Sequence, residues 1–292
     1  MPEIEKIKNL PCWQQPVVVE PLSGGMTNLN FRVQERDKNF VVRLGDDVPE
    51  HLLWRENEGV TSQVAADCGF SPRVIYREPG VLVIDYIEGK VFSERDVRDP
   101  SNQKRLVNML HRFHTEMPQR FNGYPVLFWV FQVLRHYRNM LEQRDSSYLK
   151  QVPDLMKISE RLEKAVGPVD LVFGHNDLLP ANFIDDGERI WLIDFDYAGF
   201  NSPLFDLANL ASNSEYVEAS EKNMLEQYFT HQVDDQLWYR YSAMKCASLL
   251  RETMWSMVSE IYSKIDFDYA TYTRGNEQRF ERAYGEFTSQ FG

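Results

Sequence analysis

The chain has 292 residues, of which 43% are hydrophobic, enough for a well-buried core in one large domain or two lobes. Its 32 Lys and Arg residues against 44 Asp and Glu residues give a formal net charge of −12. An acidic chain repels phosphate backbones and anionic lipid surfaces, so the composition argues against nucleic acid and membrane partners.

The N-terminal segment and the cysteines indicate the compartment. Residues 1–10 are charged and lack an apolar segment, and no stretch of the chain approaches the ~20 apolar residues of a membrane span. Cys12, Cys68 and Cys246 are widely spaced without a CxxC pair, which fits neither a disulfide framework nor a zinc site. We therefore predict a cytoplasmic protein with reduced thiols and no membrane insertion.

A β-hairpin is the first predicted element. Strand-like runs at residues 29–33 and 40–44 flank a polar turn at 35–38. A loop of small residues, 21–28, precedes the hairpin, and its glycines allow a ligand phosphate to approach the backbone closely. Taken alone, a double glycine is more often an ordinary tight turn.

Further along the chain, the structural pattern changes from sheet to helix. A helix is predicted over residues 54–68, followed by a second hairpin with strands at 74–76 and 81–87. Beyond residue 89, apolar side chains recur at helical spacing, as at Leu106, Leu110, Phe113 and Met117. The predicted division is an N-terminal lobe, 1–88, and a C-terminal lobe, 89–292.

The segments HNDLLPAN, residues 175–182, and IDFD, residues 193–196, carry the densest chemical signal. Phosphoryl transfer needs a carboxylate that orients the attacking hydroxyl, and oxygen ligands that hold Mg²⁺ against the phosphates. Asp177 followed five residues later by Asn182 has the spacing of a kinase catalytic loop. Asp194 then stands where a kinase has its metal-binding Asp-Phe-Gly segment.

These segments resemble the HxDxxxxN and DFE segments of the choline/ethanolamine kinase family, and aminoglycoside phosphotransferases share the same plan. The resemblance implies an α+β, two-lobed protein-kinase-like fold, with an antiparallel sheet plus a helix before a mainly helical lobe. It implies ATP and Mg²⁺ as cofactors, Asp177 as catalytic base, and Asn182 and Asp194 as Mg²⁺ ligands. His175 either braces the loop or takes part in catalysis.

The resemblance extends to the N-terminal part of the chain. LSGGMTNLNFRV, residues 22–33, is similar to the family's phosphate loop. The ATP-binding residues implied there are Ser23, Gly24, Gly25, Thr27 and Asn28. Arg43 takes the position of the protein-kinase Lys, with Glu58 as its partner and Glu56 as the competing partner. The adenine would contact residues 85–88.

Aromatic side chains near the C-terminus resemble a choline-binding box, in which ring faces hold an ammonium group. Residues 254–272, MWSMVSEIYSKIDFDYATY, match the family's segment without a gap. The implied substrate-binding residues are Trp255, Tyr269, Tyr272, Tyr197, the adjacent Asp196, and Glu252. Glu252 stands where eukaryotic choline kinases carry another Trp, and Asn213 where they carry Glu. Asp206, in an FDxxN match, is predicted to anchor the catalytic loop.

The sequence therefore predicts an ATP-dependent small-molecule kinase that phosphorylates the hydroxyl of a small amino alcohol, choline or ethanolamine. A kinase for another cationic alcohol, such as thiamine or an aminoglycoside, is the alternative among enzymes. A catalytically silent kinase-fold protein that binds an ammonium ligand is the alternative outside them. The sequence leaves the oligomeric state open, a homodimer included.

Overall fold

The computed structural model describes residues 2–22, 27–144 and 146–292. The N-terminal part forms a five-stranded antiparallel sheet with the strand order β1-β2-β3-β5-β4. The strands are β1 (Val18–Leu22), β2 (Leu29–Glu35), β3 (Lys38–Leu44), β4 (Val74–Glu78) and β5 (Val81–Asp85). Both predicted hairpins are present, and Gly80 allows the second turn because its φ is +74°.

Helix α1 (Pro2–Lys8) covers one face of this sheet. Ile7 is fully buried and packs with alternate strand residues that point to the same face. Those strand residues are Phe31, Val33, Phe40, Val42, Leu44, Val81 and Val83. The sheet therefore has its own small apolar core.

Helix α2 (Arg55–Asp67) packs between this sheet and the rest of the molecule. It ends at Asp67, and two residues later Gly69, with φ of +79°, permits the chain to reverse while the Phe70 N–H donates to the carbonyl of Ala65. Ala65 and Phe70 belong to the large core of the C-terminal part, whereas Glu58 on the same helix pairs with an arginine of β3. One helix thus connects the sheet to the helical core.

The C-terminal part is mainly helical. Its helices are α3 (Glu94–Arg98), α4 (Pro100–Arg120), α5 (Val130–Gln143), α6 (Val152–Val166), α7 (Pro203–Asn213), α8 (Glu218–Phe229), α9 (Asp235–Tyr262) and α10 (Tyr269–Phe291). Helix α9 is the central one and contacts α5, α6, α7 and α10. Between Tyr241 and Ser259 almost every one of its side chains is buried, whichever face it occupies.

Short strands position the loops between α6 and α7. β7 (Val172–Gly174) pairs with β10 (Gly199–Asn201), and β6 (Lys90–Val91) pairs with β8 (Phe183–Asp185), which pairs with β9 (Ile190–Leu192). The HNDLLPAN loop leaves β7 and returns into β8, and the IDFD segment leaves β9. Both polar segments therefore begin at the ends of short, partly buried strands.

The observed arrangement is the predicted α+β order of an antiparallel sheet plus helix followed by helices. The lobe division at residue 88 stays a prediction. All three cysteines are unpaired. Among the helices of the described segments, none is both long enough and apolar enough to cross a membrane.

Candidate active site

The loop after β7 holds Asp177 and Asn182 together. Pro180–Asn182 form a single turn of 3-10 helix, and the side-chain amide of Asn182 donates to the Asp177 carbonyl oxygen at 2.8 Å. The backbone N–H of Ile193 donates to the Asn182 carbonyl at 3.0 Å, which places Asp194 beside this loop. The structure thus brings together the predicted base and both predicted metal ligands.

Asp206 anchors this loop, as predicted. It is 1% exposed and accepts hydrogen bonds from the backbone N–H groups of His175, at 2.8 Å, and Asn176, at 2.7 Å. His114 Nε2 lies 2.9 Å from the same carboxylate. Burial by itself would raise the pKa of Asp206, but these hydrogen bonds and the two histidines hold the pKa below its usual range.

Replacing Asp206 with Asn should destabilise the protein by about 1–3 kcal/mol, because an amide places N–H donors against backbone donors and loses the charge that they bind. Urea unfolding of both proteins measures the difference. The exposed Asp266→Asn change is the matched control and should leave stability unaltered. Equal stability of the Asp206 variant and the wild type would show that the loop has another anchor.

His175 lies where a loop brace is needed. Its ring is fully buried, Nε2 lies 2.9 Å from the Ile193 carbonyl, and Nδ1 accepts from the Asp177 N–H at 3.3 Å. Burial lowers the pKa of the imidazole, so the ring is neutral and its two nitrogens are used by the backbone. Of the two predicted roles, this geometry supports bracing.

Two residues of the site have unusual backbone conformations. Asn176 has φ of +66° and Asp194 has φ of +71°, in the left-handed region that few residues other than glycine adopt. The Asn176 side-chain amide donates to the carbonyls of Tyr197, at 3.0 Å, and Gly199, at 3.2 Å. This bonding fixes the loop against the segment that follows Asp194.

Asp177 lies in a largely buried group of charged side chains with Arg251 and Glu252, and 15% of its own side chain is exposed. Burial raises the pKa of this carboxyl to about 8, with Arg251 opposing the shift and Glu252 and Asp194 adding to it. A carboxylate with a raised pKa near the operating pH is suited to accept a proton from a hydroxyl.

A buried charge network joins the sheet and α2 to the segment after β9. Arg43 Nη1 lies 3.2 Å from Glu58, and its Nη2 lies 2.8 Å from Asp194 and 3.2 Å from Asp196. Arg55 Nη1 lies 2.9 Å from Glu58 and 2.7 Å from Asp196. The three carboxylates have oxygens within 4.8 Å of one another, an oxygen donor set that suits a hard divalent cation.

Of the two partners predicted for Arg43, the structure has Glu58 in the charge network and Glu56 outside it. Glu58 pairs with Arg43, whereas Glu56 pairs with Arg77 at 3.0 Å. Burial raises the pKa of Glu58, and it also raises that of Asp194. These shifts show how strongly the carboxylates depend on the two arginines for compensation.

Asp196 does not lie where the sequence placed it. It was predicted to bind substrate beside Tyr197, but its carboxylate accepts from Arg43, Arg55 and the Thr27 hydroxyl, the last at 2.8 Å. Burial would raise the pKa of Asp196, yet the arginines hold it below its usual range. Asp196 and Tyr197 lie in a turn that the Ala198 N–H closes by donating to the Phe195 carbonyl at 3.1 Å, and across this turn Tyr197 faces the aromatic group while Asp196 faces the arginines.

The predicted phosphate loop is described only in part. Ser23, Gly24 and Gly25 lie outside the described residues. Thr27 bonds Asp196, and the side-chain nitrogen of Asn28 is buried without a hydrogen-bond partner in the described structure. Asn28, Arg43 and Glu58 all line a cavity of about 860 Å³ between α2 and the β4–β5 turn.

The predicted aromatic residues form one cluster around Trp255. Its indole N–H donates to the Tyr197 hydroxyl at 2.8 Å, and its ring centroid lies 6.3 Å from that of Tyr269 and 6.4 Å from that of Tyr272. His51 stacks on Trp255 at 4.9 Å, a member that the sequence did not reveal. Burial lowers the pKa of His51 to about 3, so it contributes a neutral ring.

Arg251, like His51 and Arg55, is a site residue that was not recognised from the sequence. It is 1% exposed and hydrogen bonds the adjacent Glu252, which is buried as well. An arginine on a helix is normally taken for a surface residue. The apolar residues on every face of α9 around positions 243–258 were the signal that a charge in this stretch would be buried.

Known proteins resemble this chain over most of its length. The family model for choline/ethanolamine kinase matches residues 19–282. Protein LicA of Haemophilus influenzae is 27% identical over 259 residues, covering 85% of this chain and 75% of that protein. A probable ethanolamine kinase of Arabidopsis thaliana is 26% identical over 311 residues, covering 93% of this chain and 79% of that protein.

A solved structure shows the same fold. A choline/ethanolamine kinase family protein of Mesorhizobium loti superposes with a TM-score of 0.75 at 26% identity, covering 98% of this chain and 96% of that one. This similarity confirms the predicted kinase-like α+β fold class.

Proposed function

Because the chain belongs to the choline/ethanolamine kinase family, we propose that it transfers the γ-phosphate of ATP to the hydroxyl of a small amino alcohol, choline or ethanolamine. One arrangement carries the proposal. Asp177 lies 3.5 Å from Arg251, whose guanidinium covers the Tyr197 ring of the aromatic cluster, and its carbonyl is bonded by Asn182, which the Ile193 N–H holds beside Asp194 of the charge network. A hydroxyl held there would face the nucleotide side.

The roles of this chain's own residues follow from that position. Asp177 orients the hydroxyl and accepts its proton as the new bond between the alcohol oxygen and the γ-phosphorus forms and the bond from that phosphorus to the oxygen leaving with ADP breaks. Arg43, held by Glu58, presents its guanidinium to the phosphates, with Thr27 and Asn28 at the adjoining loop. The catalytic loop needs no movement for this chemistry, because Asp206 and His175 already fix its backbone.

Mg²⁺ fits the donor set beside Arg43. Asp194 supplies a carboxylate, and the side-chain oxygen of Asn182 is available because its amide nitrogen bonds Asp177. Bound there, Mg²⁺ would offset negative charge on the transferring phosphoryl group. Arg43 lies 2.8 Å from Asp194, and bound phosphates would take over part of that arginine's bonding.

Adding ATP and Mg²⁺ with choline, ethanolamine, thiamine or an aminoglycoside tests the proposal directly. ADP release measures turnover, and the mass of the product identifies which hydroxyl received phosphate. Phosphorylation of choline or ethanolamine supports the assignment. Product formed only from thiamine or the aminoglycoside would retain the kinase mechanism and reject the substrate class, whereas binding of ATP without any product would favour a silent binding protein.

The position of Asp196 yields a kinetic prediction. Asp196→Asn should raise KM for Mg-ATP about tenfold and leave KM for the alcohol within about twofold, because its partners are Arg43 and Arg55. Initial rates with each substrate varied in turn separate the two constants. A selective rise in KM for the alcohol would instead place Asp196 in the substrate pocket.

A further inference from the structure

A buried guanidinium lies where the aromatic cluster meets the catalytic carboxylate. The guanidinium carbon of Arg251 is 4.2 Å from the centroid of the Tyr197 ring and 5.8 Å from that of Phe128. Its Nη1 hydrogen bonds Glu252 and lies 3.5 Å from Oδ1 of Asp177. Arg251 therefore contacts an aromatic ring, a pocket carboxylate and the base.

This position is one that a substrate ammonium would also need. A cation is held by the face of an aromatic ring, and the face of Tyr197 already has one over it. Tyr197 is fixed in place as well, since its hydroxyl accepts from the Trp255 indole. A trimethylammonium group would therefore have to share or displace the guanidinium.

The covalent structure of the substrate makes the competition unavoidable. In choline and ethanolamine only two carbons separate the hydroxyl from the nitrogen, so a hydroxyl at Asp177 brings the nitrogen close to Arg251. A quaternary nitrogen has no N–H to donate and depends on ring faces. A primary ammonium has three donors and can bind carboxylate oxygens of Asp177 and Glu252 alongside the guanidinium.

We propose that Arg251 is a specificity-determining residue that makes this pocket select a primary over a quaternary ammonium, so that ethanolamine is preferred to choline. The proposal rests on the proposed function. Arg251 donates to Glu252 through Nη1 and lies 3.5 Å from Asp177, so two carboxyl groups face one guanidinium and offer further oxygens to an N–H donor. A primary ammonium can use those oxygens, whereas a quaternary one cannot.

The energetics indicate a role other than folding. Nε and Nη2 of Arg251 are buried without a hydrogen-bond partner in the described structure, an arrangement that is costly for a cation. The guanidinium packs against the rings of Tyr197 and Phe128, so a hydrophobic residue of similar length would pack there. Removing Arg251 alone leaves the buried Glu252 without its counter-charge. Removing the charges of Arg251 and Glu252 together leaves no unpaired charge from this pair.

The test compares kcat/KM for ethanolamine, its N-methyl and N,N-dimethyl derivatives, and choline. In the wild type we expect a stepwise fall as methyl groups are added. Arg251→Met should lower the ethanolamine-to-choline ratio by roughly threefold to thirtyfold, the range of one cation–π contact, and Arg251→Lys should retain the preference. Arg240→Met is the matched control, because it makes the same substitution at another position of α9, where the side chain donates to the Val166 carbonyl. It should leave the ratio unchanged.

A binding measurement separates this proposal from the proposed function. Calorimetry with tetramethylammonium, which has no hydroxyl, should detect binding to Arg251→Met and none to the wild type. If Arg251→Met does not fold, the Arg251→Met/Glu252→Gln double variant gives the same comparison without a buried lone charge. A wild-type preference for choline, or an unchanged ratio and no gain of tetramethylammonium binding, would overturn the role of Arg251. If no amino alcohol is phosphorylated, the proposed function fails. The comparison of tetramethylammonium binding then decides by itself whether Arg251 excludes a quaternary ammonium.

Discussion

Asp177→Asn should lower kcat by about 10²–10⁴-fold while leaving the affinity for Mg-ATP within about twofold. An amide of the same shape still fits the pocket but cannot take the proton of the alcohol. In the proposed mechanism other side chains hold the phosphates and Mg²⁺, Arg43 and Asp194 among them, so the affinity for Mg-ATP should survive. ADP-release assays give kcat, and calorimetric titration with Mg-ATP in the absence of alcohol gives the affinity.

We expect Asp177→Asn to leave the stability of the protein unreduced. Burial already disfavours the charged form of Asp177, so a neutral amide removes a cost, while Arg251 keeps Glu252 as its partner. The exposed Asp170→Asn change serves as the control for charge removal and should have full activity. A kcat near the wild-type value for the Asp177 variant would require a different base.

Arg43→Met should destabilise the protein by about 3–5 kcal/mol and raise KM for Mg-ATP. The change leaves Glu58, Asp194 and Asp196 close together, with Arg55 as the remaining cation. Uncompensated buried carboxylates either repel one another or take up protons. Urea unfolding at neutral pH gives the loss of stability, and steady-state kinetics gives the change in KM.

A surface pair provides the contrast for Arg43. Arg73 pairs with Asp85 at 3.1 Å, but its side chain is 69% exposed, so Arg73→Met should cost at most about 1 kcal/mol. Arg43→Lys keeps the charge but loses the fork that reaches three carboxylates, so it should restore only part of the stability. Equal losses for Arg43→Met and Arg73→Met would mean that the network contributes little to folding.

Local patterns were enough to predict the elements that position the site. The hairpin β2–β3, helix α2 and the turn at Gly80 each carry a signal within a few residues, in strand alternation, helical spacing or turn chemistry. Helix α1 was missed because it is short and charged, and only contact with the sheet reveals that Ile7 is a core residue.

The charge partners were harder to predict because they depend on long-range packing. Asp196 bonds residues 141 to 169 positions away in the chain, and no local pattern indicates which way its side chain points. Arg251 and Asp177 are likewise far apart, 74 positions in the chain, so no local pattern indicates their contact. Sequence spacing was enough to propose Asp177, Asn182 and Asp194 as site residues, whereas their counter-charges required the tertiary structure.

The left-handed backbone at Asn176 and Asp194 decides how this site should be mutated. Asn and Asp tolerate that conformation better than other residues with a side chain, so alanine at either position would add backbone strain of roughly 1–2 kcal/mol to the loss of the functional group. An alanine scan would therefore rank both positions as critical even where their chemistry was dispensable. Exchanging Asp194 for Asn, or Asn176 for Asp or Gly, keeps the backbone acceptable, and the remaining defect then reports on the lost side-chain chemistry alone.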